Sequence, residues 1–436
     1  MAPVPPAPLS PGYRSTPFWW DGAPGGFPEA GEVPGKLPGE VDVVVVGGGY
    51  TGLGVAREVA ARGREVVVLE AGPVAGGASS RNGGMVHPGG KHDLPELLAM
   101  AGGREIWEET VAAFEGLEAL IGAERIDCGW RRTGHLELAR HPRAAARLRE
   151  VAAAYRTIGE EARFLTAGEL GPEIGSEAFC GGLLVARSGS VDPARLAVGL
   201  AGAAVTAGAD LRPGTPVTSV SRAGAGFEVV TTRGRVRARE VAVATNGSTD
   251  GLVGWLGRRI LPIGSYIVAT ETLDPELARS VIPGGRMVFD SRNFLHYWRL
   301  SPEGDRVLFG GRTSFAPTTV ERSRDQLYRA MVEVHPQLAG VALERAWGGQ
   351  VALTADRLPH LGRDPSSRVV YAMGYCGTGV ALSTHLGRAV GRWLCGEGEL
   401  PEFADRPWPR VPALARVPGL LPVAGWWYRG MDRLGR

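Results

Sequence analysis

The stretch "VDVVVVGGGYTGLGVAREVAARGREVVVLEAG", residues 41–72, constrains the fold more than any other part of the chain. The uninterrupted "VVVV" reads as a strand buried on both faces, and "REVVVLE" at 64–70 repeats the pattern after one helix. That is a βαβ unit. Gly47, Gly49 and Gly52 complete G-x-G-x-x-G between strand and helix. The first permits a tight turn, the second lets backbone approach a pyrophosphate, and the third lets helix and strand pack closely. The helix N-terminus adds unpaired N–H groups and a favourable dipole for phosphate. Glu70, 18 residues past Gly52, has the spacing of an acid that binds a ribose diol. A tight structural turn with a surface glutamate is the weaker alternative. NAD and FAD share this fingerprint. The following loop, "GPVAGGASSRNGGMVHPGG" (72–90), occupies the place where an NAD-binding unit usually enters its next helix. It suits a chain lying along an extended FAD.

At 436 residues with 44% hydrophobic content, the chain can build two substantial domains. A net charge of +2 provides no basic field for nucleic acid. Cys128, Cys180, Cys376 and Cys395 form no CxxC pair, so neither a zinc site nor a disulfide framework is expected. Prolines interrupt the N-terminus where a secretory peptide needs apolar residues, and no later run reaches the roughly 20 apolar residues of a membrane span. A cytoplasmic protein is the expectation, with its oligomeric state left open.

The pattern predicts an α/β fold, in which a Rossmann-like cofactor domain is interrupted by an α+β substrate domain built on an antiparallel sheet. Residues 1–40, rich in proline and glycine, read as an extended strap anchored by Phe18, Trp19 and Trp20. The cofactor domain is expected from 41–100, 178–265 and 345–400, the substrate domain from 101–177 and 266–344, and a tail from 401–436. Helical composition runs from about Leu94 to Leu170, and "SRDQLYRAMVEVHPQL" reads as a further helix. The aromatic tail "PGLLPVAGWWYRGMDRLGR" is expected to dock on the body rather than on a membrane.

Several segments together resemble the D-amino acid oxidase-like (GR2/DAO) superfamily of FAD-dependent oxidoreductases, and within it the gamma-glutamylputrescine oxidoreductase-like group. They are "VVVVGGGYTGL", "GASSRNGG", "RRTGHLEL", "VAVATNG", "LFGGRTSF", "AWGGQVALTADRLPHLG" and "GYCGTGVALSTHLG", in family order. By that resemblance Gly47, Gly49, Tyr50, Thr51, Gly52 and Glu70 hold the ADP half of FAD. Ser80, Arg81, Asn82, Gly83 and Gly84 would run beside pyrophosphate, ribityl chain and flavin. Val217 would meet adenine, and Thr245, Asn246 and Gly247 the phosphates. Gly348, Gly374, Gly377, Thr378 and Gly379 would lie against the flavin, where a helix N-terminus stabilises negative charge on the reduced ring.

Departures from the family pattern bear on the substrate. Gly349 stands where some relatives attach flavin covalently through cysteine, which implies non-covalent FAD. Val351 and Gly377 stand where amino acid-oxidising relatives carry carboxylate-binding arginines. An amine without an adjacent carboxylate is therefore expected, delivering hydride to flavin N5 and leaving an imine that hydrolyses. Orientation and desolvation carry such catalysis, so no triad or metal cluster is required. His87, Tyr266, His296 and Trp298 are the pocket candidates, the last two by sharing one face of "FLHYWRL". Plain packing is the alternative for each. Arg312 is a candidate anchor for an acidic group, or else an interdomain ion pair. Cys376 adjoins the expected flavin position, and Lys91 is the sole nearby lysine for oxygen activation. Oxygen or another carrier accepts the electrons. The rivals are an amino acid oxidase or dehydrogenase and a flavoprotein without turnover.

Overall fold

A computed structural model describes residues 6–24, 27, 35–249, 251–292, 295–312, 318–404 and 406–412. The aromatic tail beyond residue 412 lies outside the described residues, as do Thr313, Ser314 and Phe315 of one family segment.

Two large sheets organise the chain. In the smaller, the strands Asp210–Arg212, Val66–Leu69, Glu40–Val46, the end of Gly234–Val243 and Val370–Met373 run parallel. The valine run lacks polar alternation because each face has its own cover. Val43 and Val45 join Val66 and Val68 against the helices, while Val44 and Val46 join Val67 and Leu69 against Phe227, Val229 and Val236. The helix Tyr50–Ala60 crosses the first face and packs on Gly379–Leu394 so closely that a Cβ on Gly54 would come within 2.9 Å of the Thr384 carbonyl oxygen.

The larger sheet has nine strands in the order Leu9–Arg14, Leu343–Leu353, Leu261–Thr270, Val307–Gly311, His296–Leu300, Met287–Asp290, His135–Ala139, Gly181–Val185 and Ala162–Thr166. Most neighbours are antiparallel, with parallel pairing where the N-terminal strand joins the edge and between His135–Ala139 and Met287–Asp290. One face buries Leu136, Leu138, Val268, Val288, Trp298 and Phe309 against the helix Val320–Val334. The other face turns toward the cofactor-binding side.

Several domain limits shift from expectation. The helix Gly103–Ala123, expected in the substrate domain, packs with Gly379–Leu394 in the core beside the parallel sheet. Gly181–Val185 and Leu343–Leu353, expected largely on the cofactor side, are strands of the nine-stranded sheet. Leu261–Thr270 is one strand across the limit drawn at 265. The chain changes layers within elements whose apolar pattern does not specify the partner layer. Within the expected helical region, His135–Ala139 and Ala162–Thr166 are strands. The N-terminal strap contains a strand and a short 3-10 turn, Phe18–Trp20.

Candidate active site

A cleft of about 1140 Å³ runs from the glycine turn to the larger sheet, above the roughly 300–1,000 Å³ of ordinary small-ligand pockets. Gly47 takes φ of +102°, and a Cβ there would lie 2.9 Å from the Ala244 carbonyl oxygen. Gly52 points away from the cleft into the turn, where a Cβ would fall 1.9 Å from the Gly47 carbonyl oxygen. Its role is the close packing that the motif predicts. Gly49, Tyr50 and Thr51 line the cleft at the helix N-terminus. The Tyr50 N–H already donates to Ser79 Oγ (3.0 Å), and Thr51 Oγ1 lies 2.7 Å from the Tyr375 hydroxyl.

Glu70 accepts from the backbone N–H groups of Gly48 (2.7 Å) and Gly72 (2.9 Å), which fixes its carboxylate at the cleft wall. Val217, Thr245, Asn246 and Gly247 lie along the same wall. Asn246 Oδ1 accepts from Gly374 N (3.0 Å), so Gly374 supports that loop from outside the cleft lining. Gly348, Gly377 and Gly379 line the far end. A glycine-walled cleft with a fixed carboxylate near one end and two helix N-termini fits an extended dinucleotide.

The loop after Glu70 is held from behind by three indoles. Trp20 Nε1 donates to Ser80 Oγ (3.0 Å), Trp347 Nε1 to the Arg81 carbonyl (2.9 Å) and Trp19 Nε1 to the Asn82 carbonyl (2.8 Å). The Arg81 guanidinium lies 4.6 Å from the Trp20 ring centre and donates to the carbonyls of Gly76 (2.7 Å) and Gly348 (3.3 Å). Ser80 is fully buried and Asn82 staples its own turn through Ala78 and Ser79. These two act on loop shape, and Ser79, which sequence reasoning missed, faces the cleft. Gly84, at φ +67°, lets the loop pass the Val191 carbonyl oxygen, 2.1 Å from where a Cβ would sit.

A second cavity of about 380 Å³ adjoins the cleft, sharing Arg81, Asn82, Gly349, Gln350, Val351 and Gly377 with it. Gly83, Lys91, Cys376 and Thr378 also line this cavity. Burial raises the Cys376 thiol pKa, and its Sγ lies 3.4 Å from Thr354 Oγ1. Burial, reinforced by Arg312, lowers the Lys91 ammonium to about 8.

Of the four pocket candidates, His87 lines this cavity. Tyr266 lines the cofactor cleft instead, its hydroxyl donating to the Thr318 carbonyl (2.9 Å). His296 and Trp298 are corrected: neither lines either space. Trp298 is wholly buried between Phe179 and Phe309, and His296 contacts Asp290 at 3.1 Å. Strand alternation places them together but does not say which face meets the cavity, and Tyr297 takes that role. The register runs Glu137, Phe289, Tyr297 and Gly310 across four strands. Gly310 leaves room for the Tyr297 ring, whose Cε2 would lie 2.4 Å from a Cβ.

Glu137, Phe289 and Tyr155 were not anticipated. The only sequence signal for Glu137 is the period-two alternation of "HLELA", embedded between helices. Burial raises its carboxyl to about 7, with Asp93 adding to the shift. Its residual exposure faces the cavity. His87 Nδ1 donates to the Pro88 carbonyl (2.8 Å). His135 Nδ1 donates to Ser188 Oγ (2.6 Å), whose own proton goes to the Arg187 carbonyl (2.7 Å). Burial lowers both imidazoles, His135 to about 3, so both stay neutral with Nε2 unprotonated.

Comparison with known proteins accords with this geometry. Residues 42–393 match the DAO family model, described as FAD dependent oxidoreductase. Gamma-glutamylputrescine oxidoreductase of Escherichia coli is 33% identical, over 90% of this chain and 93% of its own. OrdL of Haemophilus influenzae is also 33% identical, over 82% and 84%. The crystal structure of glycine oxidase from Geobacillus kaustophilus superposes with a TM-score of 0.73 at 25% identity, covering 86% of this chain and all of that one. The chain belongs to the DAO family of FAD-dependent oxidoreductases, and FAD is its cofactor.

Proposed function

We propose that the protein oxidises an amine whose reacting carbon bears no carboxylate, using non-covalently held FAD. Bound FAD supplies the electron sink. The junction of cleft and cavity carries this reading. There the chain presents glycine backbone, Gln350 and the Val351 side chain, while the junction guanidinium of Arg81 is turned to two carbonyls. Nothing at that point matches a carboxylate in the bidentate way. The described lining of the cleft contains neither cysteine nor histidine, which supports non-covalent holding.

In this reading Ser79, Glu70 and the glycine turn hold the adenine-side half of the cofactor. The wall of Gly348, Gly349, Gln350 and Val351 leaves the ring accessible from the second cavity. Tyr297 and Phe289 exclude water around the reacting carbon, and the resulting imine hydrolyses to a carbonyl compound with release of ammonia or an amine. Similarity to gamma-glutamylputrescine oxidoreductase supports a polyamine-derived substrate. No helix among the described residues is long and apolar enough to cross a membrane, and a cytoplasmic setting remains part of the proposal.

A second reading, oxidation of an amino acid, draws on Arg312 at the cavity wall and on similarity to glycine oxidase. Anaerobic addition of amines and amino acids to the purified flavoprotein separates the two. Bleaching of the oxidised flavin band by amines supports the proposal, and bleaching by amino acids alone refutes it. Rapid recovery in air identifies oxygen as acceptor; slow recovery points to another electron carrier.

A further inference from the structure

The second cavity is unusually supplied with hydrogen-bond acceptors. The Glu137 side chain forms no hydrogen bond or ion pair with any described residue, although it lies deep in the protein and opens onto the cavity. His135, two residues earlier on the same strand face, and His87 opposite it each spend their single ring proton on Ser188 and Pro88. Their Nε2 atoms make no hydrogen bond to a described residue. The rings of His87, His135 and Phe289 form a triangle with centres 5.4–5.5 Å apart. A deep carboxylate without a partner is costly unless something answers it. An ammonium answers all of these features, since it carries three donors, a positive charge and affinity for aromatic faces.

We propose that Glu137, with His87, His135 and Phe289, forms a subsite for a second, non-reacting ammonium group of the substrate. The substrate class is thus an amine with a cationic far end, either an α,ω-diamine or an amine extended by the α-ammonium of a γ-glutamyl group. This rests on the amine reading above and sharpens it.

The charged surroundings of Glu137 fit the assignment. Asp93, from the loop before the helix Leu94–Leu98, is committed to Arg147 at 2.6 and 2.7 Å. Asp290, on the neighbouring strand, is committed to Arg292 and His296. Tyr155 approaches from the helix Pro142–Thr157 as a neutral phenol whose pKa burial raises. Arg81, Lys91, Arg292 and Arg312 are the cations on the cavity wall. Arg81 is turned to two carbonyls and Arg292 to Asp290, while Lys91 attracts Glu137 from beyond ion-pair distance.

The test is calorimetric binding of putrescine, γ-glutamylputrescine and butylamine to the oxidised holoenzyme, followed by anaerobic flavin reduction with each. Butylamine lacks the far ammonium. The parent is expected to bind at least one dicationic or zwitterionic amine about 10- to 100-fold tighter than butylamine, the range for a charge-assisted hydrogen bond. Whichever of the two binds tighter identifies the source of the ammonium. Glu137→Gln should collapse that ratio toward one, with Glu137→Asp restoring part of it. In the parent, the ratio should grow as pH rises from 6 to 8, because the carboxyl must ionise, near pH 7, to receive the ammonium. The pH measurement stands even where a variant fails to fold. A ratio near one in the parent, or one unchanged by Glu137→Gln with the flavin spectrum intact, overturns the proposal by showing that Glu137 does not receive the far ammonium. Discriminating binding without flavin reduction would leave the subsite standing and remove the amine-oxidation reading.

Discussion

Replacing Trp19 by Phe tests whether the N-terminal segment acts on the cofactor or only on the fold. Trp19 is 1% exposed and donates its indole proton to the Asn82 carbonyl at 2.8 Å. Phenylalanine keeps most of the apolar contact with Ile267, Ala269 and Trp347 but deletes the donor. The Asn82 carbonyl then loses this partner, at a cost of about 1–3 kcal/mol for a buried unsatisfied acceptor. If that cost falls on the loop conformation that receives FAD, the dissociation constant rises about 5- to 150-fold. If it falls on the fold alone, apo and holo forms lose equal stability and FAD affinity is unchanged. Titration of the apoprotein with FAD, followed by flavin fluorescence, measures the first quantity. Thermal unfolding with and without saturating FAD measures the second, since a ligand bound only by the native state stabilises it by mass action. An FAD affinity within twofold of the parent, together with equal thermal losses in both forms, would refute the clamp.

Gly52→Ala should abolish FAD retention on purification, because its Cβ would overlap the Gly47 carbonyl oxygen and force the turn open. The flavin-to-protein absorbance ratio reads this directly. Trp298→Ala should cost about 3–5 kcal/mol of stability, seen by denaturant unfolding, while ligand discrimination in the surviving folded protein stays that of the parent, as its side chain lines neither cavity. Glu137→Gln should stabilise the ligand-free protein at pH 8 but not at pH 4. The native carboxyl titrates near 7 against about 4.5 unfolded, so the native state binds more protons between those values and loses stability as pH rises through them. The gain is on the order of 1–3 kcal/mol, and thermal midpoints at the two pH values check it.

The cofactor half of the protein was legible because its chemistry is written in backbone constraints. A turn that excludes Cβ at Gly47 and Gly52, and an acid at the end of the second strand, leave few alternatives. The substrate half was less legible for geometric reasons. Period-two alternation in "FLHYWRL" separates two faces without naming the one that meets the cavity, so Trp298 was preferred where Tyr297 stands. Glu137 sits on a five-residue strand between longer helices, too short for its alternation to outweigh the helical composition around it. The aromatic anchors of the strap were recognisable, but not their target. Only the folded chain brings Trp19 and Trp20 to residues 80–82.

The strand Leu9–Arg14 pairs in parallel with Leu343–Leu353, so during synthesis the earlier segment must wait for a partner that emerges roughly 330 residues later. At ordinary elongation rates that wait is on the order of tens of seconds. Until then Trp19 and Trp20 have no completed sheet edge to settle on, and the flavin loop lacks its backing. Such a distant pairing is entropically late, because loop closure precedes the contacts that reward it. Cofactor capture should therefore be a closing event of biogenesis. A chain that stops short of residue 343 would carry the whole glycine motif and still keep little flavin.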